Sequence, residues 1–133
     1  MEYKPPTALV VDDAPEFRAL LSALLRQLGL TVQVAPDGEA GIAAAREHRP
    51  DLICLDLMLP VRCGLDVCEE LRRLPETAQV PVIVVSARPF PQDRADAEAA
   101  GADGFVTKPI DPARFAEQVR GVLWNRQQTM VGA

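Results

Sequence analysis

Thr7-Ala8-Leu9-Val10-Val11-Asp12-Asp13-Ala14-Pro15 is the stretch on which the fold of this chain turns. A short apolar run passes straight into two aspartates and then into a proline, whose fixed φ suits the first turn of a helix. Strands that read as nearly unbroken apolar runs belong to parallel sheets, because helices cover both of their faces. The stretch is therefore the start of a strand-to-helix unit with acidic groups at the carboxyl end of the strand.

Outward from it, β-rich runs recur at 31–35, 52–55, 80–85 and 104–107, each separated from the next by enough chain for a helix. The first helix is the clearest: Phe17, Leu20, Leu21, Leu24, Leu25 and Leu28 fall on one helical face, and Gly29 ends it. The last opens at Asp111-Pro112 and carries Phe115, Val119, Val122 and Leu123 on one side. The second, about 38–47, is built of small residues, and the third begins near Gly64 with Val67, Leu71 and Leu74. Between Gln92 and Ala100 the fourth offers little but alanine, which predicts weak packing. The expected fold class is α/β, a doubly wound parallel sheet of five strands with helices on both faces.

A chain of 133 residues, 48% of them hydrophobic and 25% charged, has the size and composition of one globular domain. We assign it to residues 1–124, and expect 125–133, where the apolar pattern stops, to be a C-terminal tail that frays or begins a linker. No apolar run exceeds four residues, so no membrane insertion is expected, and the opening Met-Glu-Tyr-Lys-Pro-Pro does not read as a secretory signal. A cytoplasmic location is the expectation. Nineteen acidic residues against 14 basic give a net charge of −5, which argues against direct nucleic-acid binding. Cys54, Cys63 and Cys68 are odd in number and lack CxxC spacing, so they read as packing residues, with Cys63 in a loop. His48 and Trp124 read as helix-end residues, the tryptophan partly buried.

The chemistry lies where the strands end. Asp12 and Asp13 follow the first strand, Asp56 the third, Ser86 the fourth and Lys108-Pro109 the fifth. In a parallel sheet these emerge at one edge, where α/β folds bind ligands at the crevice left by reversed winding. Three carboxylates there repel unless a cation joins them, and so hard a set of oxygen ligands suits Mg²⁺ better than an all-protein Ca²⁺ cage. With the Lys108 charge and the Ser86 hydroxyl the pocket can take a phosphoryl group as well, and the implied reaction is phosphoryl transfer to a carboxylate. Singly, each residue has an ordinary reading: a helix cap for the Asp12-Asp13 pair, turns for Asp56 and Ser86, a solvated loop for Lys108. Their joint placement at the ends of four of the five strands favours a site.

From about Thr7 to Leu123 the sequence resembles the receiver domain of bacterial two-component response regulators. Leu9-Val10-Val11-Asp12-Asp13-Ala14, Asp56-Leu57-Met58-Leu59-Pro60, Pro81-Val82-Ile83-Val84-Val85-Ser86-Ala87 and the run from Ala100 to Lys108-Pro109 carry the resemblance. It implies a flavodoxin-like receiver fold with strand order 2-1-3-4-5. It implies Asp56 as the phosphoacceptor, served by a sensor histidine kinase or a histidine phosphotransferase. Asp13, Asp56 and the Met58 carbonyl would bind Mg²⁺ directly, and Asp12 mainly through water. Lys108 would pair with the phosphoryl oxygens, aimed by a cis bond to Pro109, while Ser86 Oγ and the Ala87 amide donate to them. Ser86 and Phe105 would form the switch, changing the face of helix four, strand five and helix five for an unknown downstream protein.

Departures from the family pattern are Ser86 for the commoner threonine, Val61-Arg62-Cys63-Gly64 where an acidic residue often precedes the glycine, and Gly104 for an aspartate common in receivers that dimerise. The last weakens the expectation of a homodimer without removing it. Met58 and Arg88, at the entrance, are expected to tune phosphoryl lifetime. The reading is a single-domain receiver that turns over no external substrate but catalyses its own phosphorylation and dephosphorylation. The alternatives are the receiver of a longer transcription factor or hybrid kinase, and an interaction module that works without phosphate. A phosphatase would need a second acid where Met58 stands. Binding of FMN is disfavoured by the acidic loop after the first strand.

Overall fold

The computed structural model describes residues 4–88 and 90–131, with side chains as far as residue 124. The elements are β1 (Thr7–Val11), α1 (Pro15–Gln27), β2 (Thr31–Ala35), α2 (Gly38–His48), β3 (Leu52–Asp56), α3 (Gly64–Arg73), β4 (Val82–Ser86), α4 (Pro91–Ala99), β5 (Gly104–Thr107) and α5 (Pro112–Val131). All pairings are parallel, in the order β2-β1-β3-β4-β5. The expected α/β fold and strand order are therefore present.

Differences at the boundaries have local causes. β4 starts at Val82 and not at 80: the Val80 amide is spent on the Thr77 carbonyl in a turn, and Pro81 has no N–H to give. Asp56 and Ser86 end β3 and β4 as ladder residues and do not follow them. Helix α5 continues past Trp124, and the expected tail at 125–133 falls outside the residues whose side chains are described. Gly29, at φ +96, supplies the left-handed residue that turns α1 back towards β2. Asp37 caps α2, its Oδ1 accepting from the Ala40 amide at 2.8 Å.

Strand alternation sorts the core into two layers. Leu9, Val11, Ile53, Leu55, Val82, Val84 and Phe105 pack on one face against Ile42 and Ala45 of α2, Val67, Cys68 and Leu71 of α3, and Ala97 of α4. Ala8, Val10, Leu52, Cys54, Ile83, Val85 and Val106 face the other way, against Leu21 and Leu25 of α1 and Phe115, Val119 and Val122 of α5. Within α4 only Ala97 is buried, in line with the weak packing expected of its alanine-rich sequence. Two expectations fail at the periphery: Leu20, counted on the buried stripe of α1, is 41% exposed, and Trp124 is 60% exposed. No described helix is long and apolar enough to cross a membrane.

Cys54 and Cys68 are fully buried and Cys63 is exposed at the N-cap of α3. Burial pushes the Cys54 thiol up to about 12 and raises that of Cys68 as well. A disulfide-exchange reagent at pH 8 should therefore titrate one thiol, Cys63, in the native protein and all three after denaturation. Rapid reaction of a second native thiol would contradict the packing of β3 or α3.

Candidate functional site

Alternation carried past the strand ends decides which side chains meet. Asp12, one residue beyond β1, falls on the side of Val10; Asp56 falls on that of Cys54; Lys108, one beyond β5, on that of Val106. All three therefore project towards the α1 and α5 layer, while Ser86 keeps the side of Val84, towards α4. The charged groups share one edge because the ladders hold β1, β3, β4 and β5 side by side.

Asp12 is fully buried. Its Oδ1 accepts from the Ala14 amide at 2.9 Å, its carbonyl accepts from Arg18 Nη1 at 2.8 Å, and its Oδ2 lies 3.1 Å from Lys108 Nζ. The capping reading of the aspartate pair is thus not realised: Ala14 is the N-cap of α1, and no side chain caps that helix. Asp13 is exposed, with no hydrogen bond or ion pair among the described residues. Asp56 is 5% exposed, and its Oδ1 accepts from the Met58 amide at 3.0 Å. Its Oδ2 lies 3.5 Å from Lys108 Nζ. One carboxylate oxygen from each of Asp12, Asp13 and Asp56 can be chosen so that all lie within 4.8 Å of one another.

Burial, and after it the charge of Asp12, raises the pKa of Asp56; the Met58 amide and the Lys108 ammonium pull it down and do not prevail. A carboxylate whose folded pKa exceeds its ordinary value destabilises the folded state most above that raised pKa. The burden lifts as pH falls through it towards 3.8. In EDTA, Asp56→Asn should therefore raise the melting temperature at pH 7, and the gain should shrink as the buffer is acidified into the carboxylate range. A gain independent of pH would contradict this account. Three carboxylates facing one ammonium leave an excess negative charge of the size that a divalent cation neutralises. The donors are all hard oxygens, so the residues present fit Mg²⁺.

Ser86 is fully buried, with its Oγ accepting from the Arg88 amide at 3.0 Å. Ala87 is exposed just beyond it, and Met58 is 54% exposed at the mouth of the site. The Arg88 side chain turns towards α4: its Nε lies 3.3 Å from Asp93 Oδ2, and its guanidinium sits over the Phe90 ring. Phe105 is buried in the α2–α4 layer with the Arg94 guanidinium 5.0 Å from its ring centroid. The Lys108-Pro109 peptide is cis, and the Lys108 amide donates to the Ser86 carbonyl at 2.7 Å. Of the residues singled out in the sequence, Asp12, Asp13, Asp56 and Lys108 meet in one cluster, and Ser86 flanks it across the β4 rim.

Three residues that the sequence did not mark as site residues also shape the site. Phe17 stacks on Lys108, Arg18 holds the β1–α1 turn, and Gly64 lets α3 approach the backbone of Asp56. Phe17 was indistinguishable from a core residue, since it opens an apolar stripe. Its signal was positional: a first-turn residue of α1 stands at the edge where Lys108 emerges.

Residues 8–120 match the family model for the response regulator receiver domain, and the chain belongs to that family. It is a receiver domain of two-component response regulators. It is 42% identical over 118 residues to the DNA-binding dual master transcriptional regulator RpaA of Synechocystis sp., covering 89% of this chain and 49% of that protein. It is 40% identical over 115 residues to the DNA-binding response regulator MtrA of Mycolicibacterium smegmatis, covering 86% and 49%. The chain thus spans about half the length of the curated relatives it matches. Among solved structures it superposes on the receiver domain of the sensor histidine kinase PA1611 from Pseudomonas aeruginosa PAO1. That comparison has a TM-score of 0.83 and 28% identity, and covers 90% of this chain and 98% of that one. The PA1611 structure has a magnesium ion coordinated in its active-site cleft.

Proposed function

We propose that Asp56 accepts a phosphoryl group from the phosphohistidine of a sensor histidine kinase or histidine phosphotransferase. The observation that carries the reading is the convergence of the Asp12, Asp13 and Asp56 carboxylates, with the Lys108 ammonium beside Asp12 and Asp56. An Asp56 oxygen attacks phosphorus as the bond to the imidazole nitrogen breaks, and the nitrogen keeps the electron pair. Asp13, Asp56 and the Met58 carbonyl would hold Mg²⁺, with Asp12 acting through water; the metal supplies neutralisation of the charge spread over the phosphoryl oxygens. Lys108 would leave the carboxylate of Asp56 for a phosphoryl oxygen, and Ser86 Oγ and the Ala87 amide would donate to the others. Most of the catalysis is positioning and charge neutralisation, because phosphoryl transfer leaves the protein little other covalent work.

The output would be a change at the face of α4, β5 and α5, where Arg94, Thr107, Arg114 and Gln118 line a cleft beside Phe105. Phe105 and Ser86 would form its switch, and the thin packing of α4 makes rearrangement there cheap. A second reading concerns the whole protein: relatives named as transcriptional regulators extend to about twice this length, which favours the receiver part of a longer regulator.

The test is intact-protein mass after incubation with Mg²⁺ and a small-molecule phosphodonor. We expect the wild type to gain one phosphoryl group. Asp56→Asn, or the wild type in EDTA, should lose at least about 99% of that gain. Equal phosphorylation of Asp56→Asn would move the acceptor elsewhere.

A further inference from the structure

Phe17 opens the apolar stripe of α1, yet its ring joins neither of the two core layers. It is partly buried, and the ring centroid lies 3.9 Å from Lys108 Nζ. Among the described residues the ammonium also pairs with Asp12 Oδ2 at 3.1 Å and Asp56 Oδ2 at 3.5 Å, and the Lys108 side chain is 10% exposed. We infer that Phe17 is a positioning residue of this site, its ring face binding the Lys108 ammonium and fixing where that charge stands in the pocket. The inference rests on the reading of the site given above and concerns what holds its one cation in place.

An ammonium is a compact, strongly hydrated charge with three N–H donors on a flexible stem. Taken out of water it needs partners on every side. Two carboxylates occupy two sides, and the electron-rich face of an aromatic ring occupies a third, the arrangement in which a cation–π contact is strongest. The carboxylates are not constant partners, since phosphorylation of Asp56 replaces one of them by a phosphoryl oxygen. The ring is constant: it carries no exchangeable group and binds the cation with either anion present. It also keeps water from that flank of the ammonium. The placement of the ring is itself anchored to the site, because the neighbouring Arg18 donates from Nη1 to the carbonyl of Asp12. An aliphatic side chain would fill the same space without attracting the charge, and Lys108 would sample solvent.

The test uses phenylalanine analogues with one, two and three ring fluorines at position 17, which withdraw charge from the ring face and barely alter its size. Phosphorylation by acetyl phosphate at saturating Mg²⁺ should slow step by step along the series, by about three- to tenfold at its end. Phe17→Leu should show a similar loss, and Phe17→Tyr should stay within about twofold of wild type. Rates unchanged across the fluorine series would overturn the inference, because a purely steric role would not sense the electron density of the ring. An independent readout needs no phosphoryl group: the Lys108 ε-methylene protons should resonate upfield in the wild type and return to ordinary values in Phe17→Leu. An ordinary shift in the wild type would equally overturn it. If the wild type takes up no phosphate at all, the acceptor reading fails, while the proton shifts still decide whether the ring holds the cation.

Discussion

Gly64→Ala is expected to destabilise the protein by about 2–4 kcal/mol and to slow phosphorylation of Asp56 by about tenfold or more. A Cβ at this position would lie 2.8 Å from the Leu57 Cα and closer still to the carbonyl oxygen of Asp56. Both are backbone atoms, so no side-chain rotation relieves the clash. Retreat is also blocked, because the Gly64 amide donates to the Leu57 carbonyl at 2.9 Å and ties the start of α3 to the segment it would strike. The strain must appear as a broken hydrogen bond or a displaced end of β3, and either moves Asp56 against Asp12 and Lys108. Urea midpoints and phosphorylation rates measure the two effects. Gly121→Ala is the control: nothing lies within 4 Å of its Cβ position, and α5 should gain up to about 1 kcal/mol in helix propensity. If both variants behaved alike, close approach would not be what position 64 requires.

Arg72→Ala is expected to cost about 2–4 kcal/mol, measured as a shift in the urea midpoint at constant m. The guanidinium donates to the Gly101 carbonyl from Nε at 3.0 Å and from Nη2 at 2.8 Å. From Nη1 it donates to the Val80 carbonyl at 2.6 Å, with Thr77 and Ala78 carbonyls at 3.4 and 3.3 Å. Its Nη2 also reaches Asp103 Oδ2 at 2.8 Å, and that same oxygen accepts from the Val82 amide. One side chain on α3 thus closes the loop before β4 and the turn before β5. Its removal leaves several carbonyls short of a donor at once, and a buried acceptor left unpaired costs more than its hydrogen bond contributed. Arg72→Lys should recover less than half, since a single ammonium cannot reproduce the planar fork. Gly101, at φ +105 and with its Cβ position 2.7 Å from Arg72 Cγ, leaves the room in which this side chain lies. A midpoint for Arg72→Ala within experimental error of wild type would mean that water replaces every one of these bonds.

What the sequence disclosed follows from how local each signal is. Strands and helices were legible because unbroken apolar runs and the α1 stripe repeat over short spans, and the acidic and basic site residues were legible because they stand next to strand ends. Phe17 and Leu20 were misplaced for the same reason in reverse: periodicity reports a face, and the ends of that face can look at a cation or at water. Arg72 drew no reading at all, because a basic residue in the last turn of a helix is ordinary. Its partners Gly101 and Asp103 lie about thirty residues away, and backbone carbonyls carry no mark in the sequence. Gly64 was visible as a glycine, but the backbone it must clear belongs to another element.

The two layers of the core bear on how a signal would travel. Val, Ile and Leu side chains of β1, β3 and β4 form a close-packed partition that resists deformation. Asp12, Asp56 and Lys108 stand on one side of its upper rim, and Ser86 and Phe105 lean to the other. On the proposed reading, news of an event at Asp56 would pass over the lip, along the chain that follows β4, without disturbing the wall beneath. The domain can be stiff in its middle and responsive at its edge, and a partner resting on the α4 side would feel only the edge.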